Sequence, residues 1–293
     1  MDALGEFQAQ RGLLFALAYR MLGSVADAED VLQDAYLRFE AVAADTVRSP
    51  RAFLSTLVTR LCLNQLESAR ARRETYVGPW LPEPIRTDGG EFVPAVPAPS
   101  HRIEMLESIS MAFLVLLEQL SPAERAVFVL HKVFEFSYAD IAEMVGKDAA
   151  TCRQLASRAA RHIAVHRPRF RSTPDAHRRL LERFMQAVGG GSYDALIELL
   201  TDDVTLWADG GGHVRGAATR PLHGHDAVAR FVLSSTRFLP AGAVPEIAEV
   251  NGEPAAILRV GETPAFVIAI GLRGERIAEV RVLGNPAKLR WLS

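Results

Sequence analysis

One segment of the sequence has the residue types of a DNA-reading helix. On a helical wheel of 100° per residue, the segment 148–166 gathers its small and apolar residues on one side: Cys152, Leu155, Ala156, Ala159 and Ile163. The opposite side carries Arg153, Gln154, Ser157, Arg158 and Arg161. Arginine and glutamine can pair bidentately with guanine and adenine edges, and serine reaches bases or phosphates. The pattern favours a recognition helix over its alternative, a basic amphipathic helix in an ordinary bundle.

The residues before this helix predict how it is presented. Ser137 opens a short helix that Gly146 ends, and a capped helix, a glycine turn and a second helix together form a helix-turn-helix. Upstream, Ser121 and Glu124 form a capping box with Pro122 at the first helical position. An apolar helix is expected over 105–120. We therefore predict a helical, DNA-binding domain over 103–168.

Charge is distributed unevenly along a chain whose net charge is only −2. Residues 1–45 contain eight acidic and three basic side chains, whereas residues 147–183 contain ten basic and three acidic ones. This asymmetry suggests different partners for the two segments, with nucleic acid for the basic one. The alternative is a pair of solvated helix faces.

The first 73 residues read as three helices, over 7–22, 27–42 and 51–73, each with an apolar stripe at helical spacing. On the wheel of the third helix, Thr56, Thr59 and Leu63 stand opposite the apolar stripe and Arg60 flanks them. We expect these side chains to face outward.

Residues 74–102 form a predicted linker, because proline and glycine are too dense there for a regular helix. The linker also carries Trp80, Leu81, Ile85 and Phe92. Large apolar side chains are unusual in a flexible tether, so part of the linker is expected to dock.

The last 119 residues, 175–293, change character. Helices are expected at 175–188, 193–200 and 226–239, and β-rich runs at 204–208, 255–260, 265–270 and 277–283. Helices followed by a curved antiparallel sheet predict an α+β domain.

Length and composition exclude several classes of protein. The 293 residues suggest two or three domains, and no apolar run approaches the ~18 residues that span a bilayer. The N-terminus lacks the basic start of a signal peptide. Two cysteines provide neither a disulfide framework nor a four-cysteine zinc site. We expect a soluble cytoplasmic protein with no membrane partner, no cofactor and no metal.

Three ordered motifs resemble the extracytoplasmic-function (ECF) sigma factors of bacterial RNA polymerase. The stretch 27–38, DAEDVLQDAYLR, is similar to their polymerase-binding helix, and 50–64, PRAFLSTLVTRLCLN, to their promoter-melting helix. LSPAERAVF at 120–128, followed by YADIA at 138–142, looks like their second DNA-binding domain. The resemblance implies two all-α sigma domains, over 1–73 and 103–168, the second containing the helix-turn-helix.

The resemblance also implies partners and roles. Core RNA polymerase would bind Asp30, Gln33, Asp34, Leu37 and Arg38. The loop 43–50 would hold a flipped base of the minus-ten element through Thr46, Arg48 and Ser49. The single strand would continue along Thr56, Thr59, Arg60 and Asn64, with phosphates at Arg70, Arg72 and Arg73. The recognition helix would read the minus-thirty-five element. Gln154-Leu155 stand where Ser-Arg is commoner in the family, so promoter preference is not carried over.

Three further segments resemble the signatures of an ECF subgroup with a fused SnoaL-like domain. They are Trp80-Leu81-Pro82-Glu83-Pro84, Asp209-Gly210-Gly211-Gly212 and Asn285-Pro286-Ala287-Lys288-Leu289. The resemblance implies a cone-shaped α+β domain over 175–293, similar to the nuclear-transport-factor-two superfamily. We expect the linker to dock on the other two signatures and the domain to regulate activity in cis. Inhibition, assistance of polymerase binding, or both remain open.

Other functions remain as alternatives for the C-terminal domain. SnoaL relatives include cyclases and isomerases, and acid–base candidates here are Asp209, His213, His223 and His225, with Trp207 and Phe231 nearby. A DNA-tethered enzyme would not need a polymerase-binding helix or a base-flipping loop, so retained catalysis is not expected. A small-molecule ligand and a ligand-sensing transcription regulator stay open. A dimeric repressor is disfavoured because no dimer helix is visible, and we expect a monomer when free.

Overall fold

The computed structural model describes residues 3–42, 47–89, 106–166 and 173–292. The chain forms two compact units. The first contains Met1–Glu74 and Gly89–Arg167, and the second contains Thr75–Asp88 and Pro168–Ser293. The predicted linker is therefore divided: residues 75–88 fold with the second unit, and residues 90–105 lie outside the described residues.

The first unit begins with three helices: α1 (Ala3–Leu22), α2 (Val25–Glu40) and α3 (Pro50–Glu74). Gly23 ends α1 with φ +67°, and the Ser24 hydroxyl then caps α2 by accepting a hydrogen bond from the Asp27 amide. This sharp turn lays α2 back against α1, and both pack on α3. All three predicted helices are present.

Further along the described part of the first unit lie the helices α4 (Met111–Glu118), α5 (Pro122–Lys132), α6 (Tyr138–Val145) and α7 (Ala149–His166). The capping box of Ser121 and Glu124 forms as predicted. The prediction of a single apolar helix over 105–120 is wrong at its start, because the helix begins at Met111. Ser110 accepts a hydrogen bond from the Phe113 amide and so begins a new helix at Met111.

Two buried arginines join the two helical halves of the first unit. The Arg20 Nε donates to Ser108 Oγ at 2.8 Å, and the Arg125 Nε donates to the Arg20 carbonyl at 3.0 Å. Arg125 also pairs with Glu118 at 2.5 Å. Both guanidinium groups are almost fully buried, and desolvation lowers the pKa of each to about 9. No sequence pattern indicated these contacts.

The second unit combines a six-stranded sheet with helices. The helices are α8 (Pro174–Gly189), α9 (Tyr193–Leu199), α10 (His225–Ser235) and the short α11 (Pro286–Leu289). The strands are β1 (Leu200–Asp209), β2 (Leu222–His223), β3 (Val244–Val250), β4 (Glu253–Val260), β5 (Thr263–Arg273) and β6 (Arg276–Leu283). Strands β2 and β3 were not expected from the sequence.

The strand order is β2-β1-β6-β5-β4-β3. The prediction of an antiparallel sheet is wrong at one place, because β1 and β6 pair in parallel. The other neighbours are antiparallel, as expected for hairpins. Helices α8, α9 and α10 cover the sheet around a core that includes Phe184, Leu196, Val228, Leu258 and Val280.

None of the helices in the described part of the chain is long and apolar enough to cross a membrane.

Candidate functional site

The recognition helix, α7, presents the predicted residues as two separate faces. Arg153, Gln154, Ser157, Arg158 and Arg161 are all exposed. On the other side Cys152, Ala156, Ala159 and Ile163 are buried, and Leu155 is partly buried. The wheel assignment made from the sequence is therefore confirmed. Burial also raises the pKa of the Cys152 thiol, which makes it a packing residue rather than a reactive group.

The turn before α7 is fixed by short-range hydrogen bonds. Ser137 caps α6 by accepting from the Asp140 amide at 3.2 Å, and Gly146 ends it in the left-handed conformation. Asp148 then caps α7 by accepting from the Thr151 amide at 2.8 Å and the Thr151 hydroxyl at 2.6 Å. These caps set the angle between α6 and α7, and therefore the presentation of the arginine face.

The outward face of α2 carries the residues implied in polymerase binding. Asp30, Gln33, Asp34, Leu37 and Arg38 are all exposed. Leu37 has 54% of its surface exposed. A partner that covered this face would bury Leu37 as an apolar contact within a charged rim.

The residues implied in minus-ten binding are found in different environments. Arg48 and Asn64 are exposed, and the exposed Ser49 accepts from the Ala52 amide at 3.3 Å at the start of α3. Thr56 is half-buried and donates to the Ala52 carbonyl at 2.8 Å. Thr46 and the side chains of three arginines lie outside the described residues: Arg70, Arg72 and Arg73.

The placement of Thr59 on an outward face is wrong. Its side chain is fully buried, and its hydroxyl donates to the Ser55 carbonyl at 2.7 Å. The physical reason is that α3 packs on two sides, against α1 and α2 on one and against α5 and α6 on the other. A wheel with one apolar stripe cannot reveal a second buried face formed by small polar residues.

Arg60 contacts the helix-turn-helix. Its Nη2 donates to the Glu143 carbonyl at 2.8 Å, and its Nε donates to the Met144 carbonyl at 3.2 Å. These carbonyls lie in the last turn of α6, where the helix dipole favours a cation. An arginine implied in promoter binding therefore caps a helix of the second DNA-binding half.

In the second unit, Asp209 holds the segment 75–88 through its carboxylate. Oδ1 accepts from the Tyr76 hydroxyl at 2.5 Å, and Oδ2 accepts from the Leu81 amide at 2.8 Å and from Lys288 Nζ at 2.7 Å. The Asp209 side chain is fully buried. Asp209 belongs to one of the three predicted signatures, and its carboxylate thus binds one residue from each of the other two, Leu81 and Lys288.

Lys288 supports the same segment from the other side. Its Nζ donates to the Leu81 carbonyl at 2.5 Å and lies 4.1 Å from the centroid of the Trp80 ring. Asn285 Nδ2 donates to the Tyr76 hydroxyl at 2.8 Å. Burial and the hydrogen bond to Asp209 raise the pKa of Tyr76, so it remains a neutral donor.

The other signature residues lie around this carboxylate. Pro82, Glu83, Pro84 and Leu289 are buried, whereas Pro286 is exposed at the start of α11. Gly211 has φ +56°, and a Cβ there would lie 2.3 Å from Asn285 Nδ2 and 3.1 Å from the Tyr76 hydroxyl. A Cβ on Gly210 would meet Val214 and Ala217, and Gly212 has φ +78°. The close packing of this loop against Asn285 and Tyr76, and its positive φ angles, therefore require glycine.

The second half of the segment adds to the edge of the sheet beside β3. The Thr87 amide donates to the Glu249 carbonyl, and the Asn251 amide donates to the Ile85 carbonyl, both at 2.9 Å. The Asn251 side chain accepts from the Ile85 amide at 3.1 Å. This is strand addition to an exposed edge. The sequence analysis missed Tyr76 and Asn251; the left-handed Asn-Gly turn at Asn251 was the one available signal.

The acid–base candidates do not converge on a pocket. A cavity of about 100 Å³ lies between the helices and the sheet, and Phe231 lines it but His213, His223 and His225 do not. Trp207 does not line it either, and packs under Arg281. Asp209 borders the cavity, but both of its oxygens are bonded to the segment and Lys288. Within the described residues no cluster of three His, Cys, Asp or Glu side chains is arranged for a metal ion.

Comparison with known proteins decides the family. Residues 7–72 match the family model "Sigma-70 region 2", and residues 110–163 match "Sigma-70, region 4". The chain is 41% identical over 298 residues to the ECF RNA polymerase sigma factor SigJ of Mycobacterium tuberculosis, covering 97% of this chain and 92% of SigJ. The chain belongs to the ECF RNA polymerase sigma factor family. This sigma factor therefore directs transcription initiation as an alternative sigma factor.

The similarity extends through the C-terminal unit of this sigma factor. The crystal structure of M. tuberculosis SigJ superposes with a TM-score of 0.75 at 36% identity and covers 97% of both chains. The probable ECF sigma factor SigI of the same species is 34% identical over 286 residues, covering 97% of this chain and 93% of SigI. Two helical sigma domains followed by an α+β sheet domain are therefore the architecture of this sigma factor.

Proposed function

We propose that this sigma factor is controlled in cis by its C-terminal unit, which captures the segment 75–88. The observation that carries the proposal is the buried Asp209 carboxylate, whose three donors come from Tyr76, Leu81 and Lys288. The six-stranded sheet, its covering helices and the cavity between them support a SnoaL-like cone for this unit. Its role is regulatory rather than catalytic, since the cavity offers no free acid–base group among its described lining residues.

The captured segment lies between the two DNA-binding halves in the sequence. It follows α3 directly, and the chain returns to the first unit at Gly89. A sigma factor must separate these halves to span both promoter elements. While the fourteen residues 75–88 are held on the sheet, they cannot extend, and the distance that the linker can span between the halves is shorter. Because donor and acceptor are on one chain, the capture operates at a high effective concentration.

The contact of Arg60 with α6 supports a closed, poorly active state of the first unit. While Arg60 donates to the Glu143 and Met144 carbonyls, it is not available to a promoter strand. Core polymerase, by binding the open arrangement better, would shift the population towards it. The same tail could also assist polymerase binding once released.

The proposed contacts in the active complex follow the exposed faces. Core polymerase binds α2 through Asp30, Asp34 and Leu37, with Gln33 and Arg38 beside them. Arg48, Ser49, Thr56, Arg60 and Asn64 border the single strand, together with Thr46, Arg70, Arg72 and Arg73. Thr59 supports α3 from inside. The arginine face of α7 reads the minus-thirty-five element.

Co-purification with core polymerase tests the first of these contacts. Leu37→Glu should weaken the complex by at least tenfold, because it removes the apolar contact and adds a like charge to an acidic face. The matched control is Leu4→Glu, since Leu4 is exposed to 52% on a different helix. Equal binding by the two variants contradicts the proposed surface.

Hydrogen exchange tests the capture. Mass spectrometry of the peptide covering residues 75–88 should show slow exchange at Leu81 and Ile85 in the free protein. Adding core polymerase should accelerate it. Slow exchange that persists in the polymerase complex contradicts release of the segment.

A further inference from the structure

The cavity of the C-terminal unit has an almost wholly apolar lining. It lies between α8, α10 and the sheet, and aromatic and aliphatic side chains such as Phe184, Phe231, Phe266 and Ile268 form its walls. Its volume of about 100 Å³ is of the same order as engineered apolar cavities of about 150 Å³ that bind benzene. A single ring is the size of molecule that fits.

The polar groups of the described lining are used elsewhere. Asp209 is bonded to the segment 75–88 and Lys288. The Ser235 and Thr236 hydroxyls donate to the Val232 and Leu233 carbonyls of their own helix, at 2.8 and 2.7 Å. Arg215 lies at the exposed rim. A charged ligand would therefore lose its hydration without gaining a buried partner, whereas an uncharged ring would not.

A partly exposed aromatic side chain forms one wall of the cavity. The Phe238 ring packs on Gly216, where a Cβ would lie 2.5 Å from ring atoms, and both residues line the cavity. Phe238 and Leu239 each keep 36% of their surface exposed. They follow the end of α10, Phe238 in a single 3₁₀ turn (Thr236–Phe238) and Leu239 directly after it.

One loop separates the cavity from the captured segment. Val214, Gly216 and Ala217 line the cavity, and on the other side Gly211 and Gly212 approach Tyr76 and Val77. The His213 amide donates to the Gly210 carbonyl at 2.8 Å, which makes this a tight turn rather than a long flexible loop. A molecule bound in the cavity would therefore contact the same loop, 210–217, that contacts the captured segment.

We propose that this cavity is a binding site for an uncharged, single-ring apolar molecule, and that its occupancy stabilises the capture of residues 75–88. The coupling rests on the proposed cis regulation; the site itself does not. By linkage, a ligand that prefers the captured state shifts the population towards it, and capture in turn tightens binding of the ligand.

Toluene and benzylammonium form a matched pair of probes for the site, since they share a ring and differ by one charged group. In full-length protein with labelled methionine methyl groups, toluene should shift the Met185 signal saturably, because Met185 lines the cavity. Met21 and Met144, buried in the first unit, serve as internal references. Benzylammonium should leave Met185 unshifted. No saturable shift with toluene, or an equal shift with benzylammonium, overturns the site.

Filling the cavity gives a second, independent readout. Ile268→Phe should abolish the toluene shift, and Ile197→Phe, which enlarges a core residue that does not line the cavity, should retain it. The reference methyl signals and those of the C-terminal core report whether each variant is folded. If Ile268→Phe does not fold, Val282→Phe takes its place. Retained binding in a folded, filled variant overturns the site.

Hydrogen exchange of residues 75–88 then tests the coupling. If the amides of residues 75–88 exchange only from molecules whose cavity is empty, toluene at ten times its dissociation constant should slow their exchange by about tenfold. Toluene binding with unchanged exchange contradicts the coupling. Release by core polymerase is measured without toluene, so failure of the cis-regulation proposal and failure of the ligand site are separate results.

Discussion

Asp209 and Lys288 form an ion pair of 2.7 Å in which the two side chains are 0% and 7% exposed. Removing two charges from water is costly, and it is compensated here by further hydrogen bonds to the Leu81 backbone and by the rings of Tyr76 and Trp80. The segment 75–88 supplies these additional partners through Tyr76, Trp80 and Leu81. We therefore expect the stability of the pair and the capture of the segment to be coupled.

Lys288→Met should destabilise the C-terminal unit. It leaves the Asp209 carboxylate buried without its cation, and breaking a buried pair in this way costs about 3–5 kcal/mol. Chemical denaturation of the full-length protein, followed by the fluorescence of Trp80, Trp207 and Trp291, measures the loss. Lys147→Met, at an exposed position, should change stability by less than ~0.5 kcal/mol. Equal stabilities for the two variants would show that the pair contributes nothing.

Acid should weaken the C-terminal unit through His177. Desolvation lowers the pKa of this buried histidine from 6.5 to about 4, and its Nε2 has no partner among the described residues. Between pH 6.5 and pH 4 the unfolded state binds the extra proton, so stability falls as pH falls, by about 3 kcal/mol in all. Denaturation midpoints across this range measure the slope.

The control for this pH dependence is a pair of histidine variants. His177→Leu should make the free energy of unfolding depend less on pH between pH 6.5 and pH 4. The change in slope corresponds to the loss of up to one bound proton, because no group remains to titrate at that site. His213→Gln, at an exposed position, should keep the original slope. The assignment fails if His177→Leu retains the full pH dependence.

Arg60→Ala should loosen the contact between α3 and α6. The variant removes both hydrogen bonds to the last turn of α6, so amides of α6 should exchange faster in the free protein. Arg51→Ala, an exposed arginine on the same helix, is the matched control and should leave α6 unchanged. If α6 exchanges at the same rate in both variants, the contact does not restrain it.

The arginine face of α7 should determine promoter affinity. Arg153→Ala, Arg158→Ala and Arg161→Ala should each weaken binding of the holoenzyme to promoter DNA. A base-reading arginine should cost ~1–3 kcal/mol and relax specificity at one position, and a phosphate-binding one should reduce the salt slope by about 1. Arg178→Ala, exposed on α8, is the control. Unchanged binding in all three variants is incompatible with a recognition helix.

Helix faces were predictable wherever one apolar stripe decides burial, as with Cys152 and Arg158 on α7. The same reasoning failed at Thr59, because its burial depends on α5 and α6, which are distant in sequence. The parallel pairing of β1 with β6 is likewise a tertiary property. The three signatures, Asp209 among them, were found by resemblance. The hydrogen bonds of the Asp209 carboxylate to Tyr76 and Leu81 were not, since they join residues more than 120 positions apart in the sequence.

The most direct test of control by capture is transcription in a reconstituted system with core polymerase. Wild-type protein, Trp80→Ala and Asp209→Asn are compared over a range of concentrations, with Lys147→Met as the control. Release of the segment should raise initiation by both variants at low concentration, while the control matches the wild type. Equal initiation by all four proteins at every concentration would contradict control by the C-terminal unit.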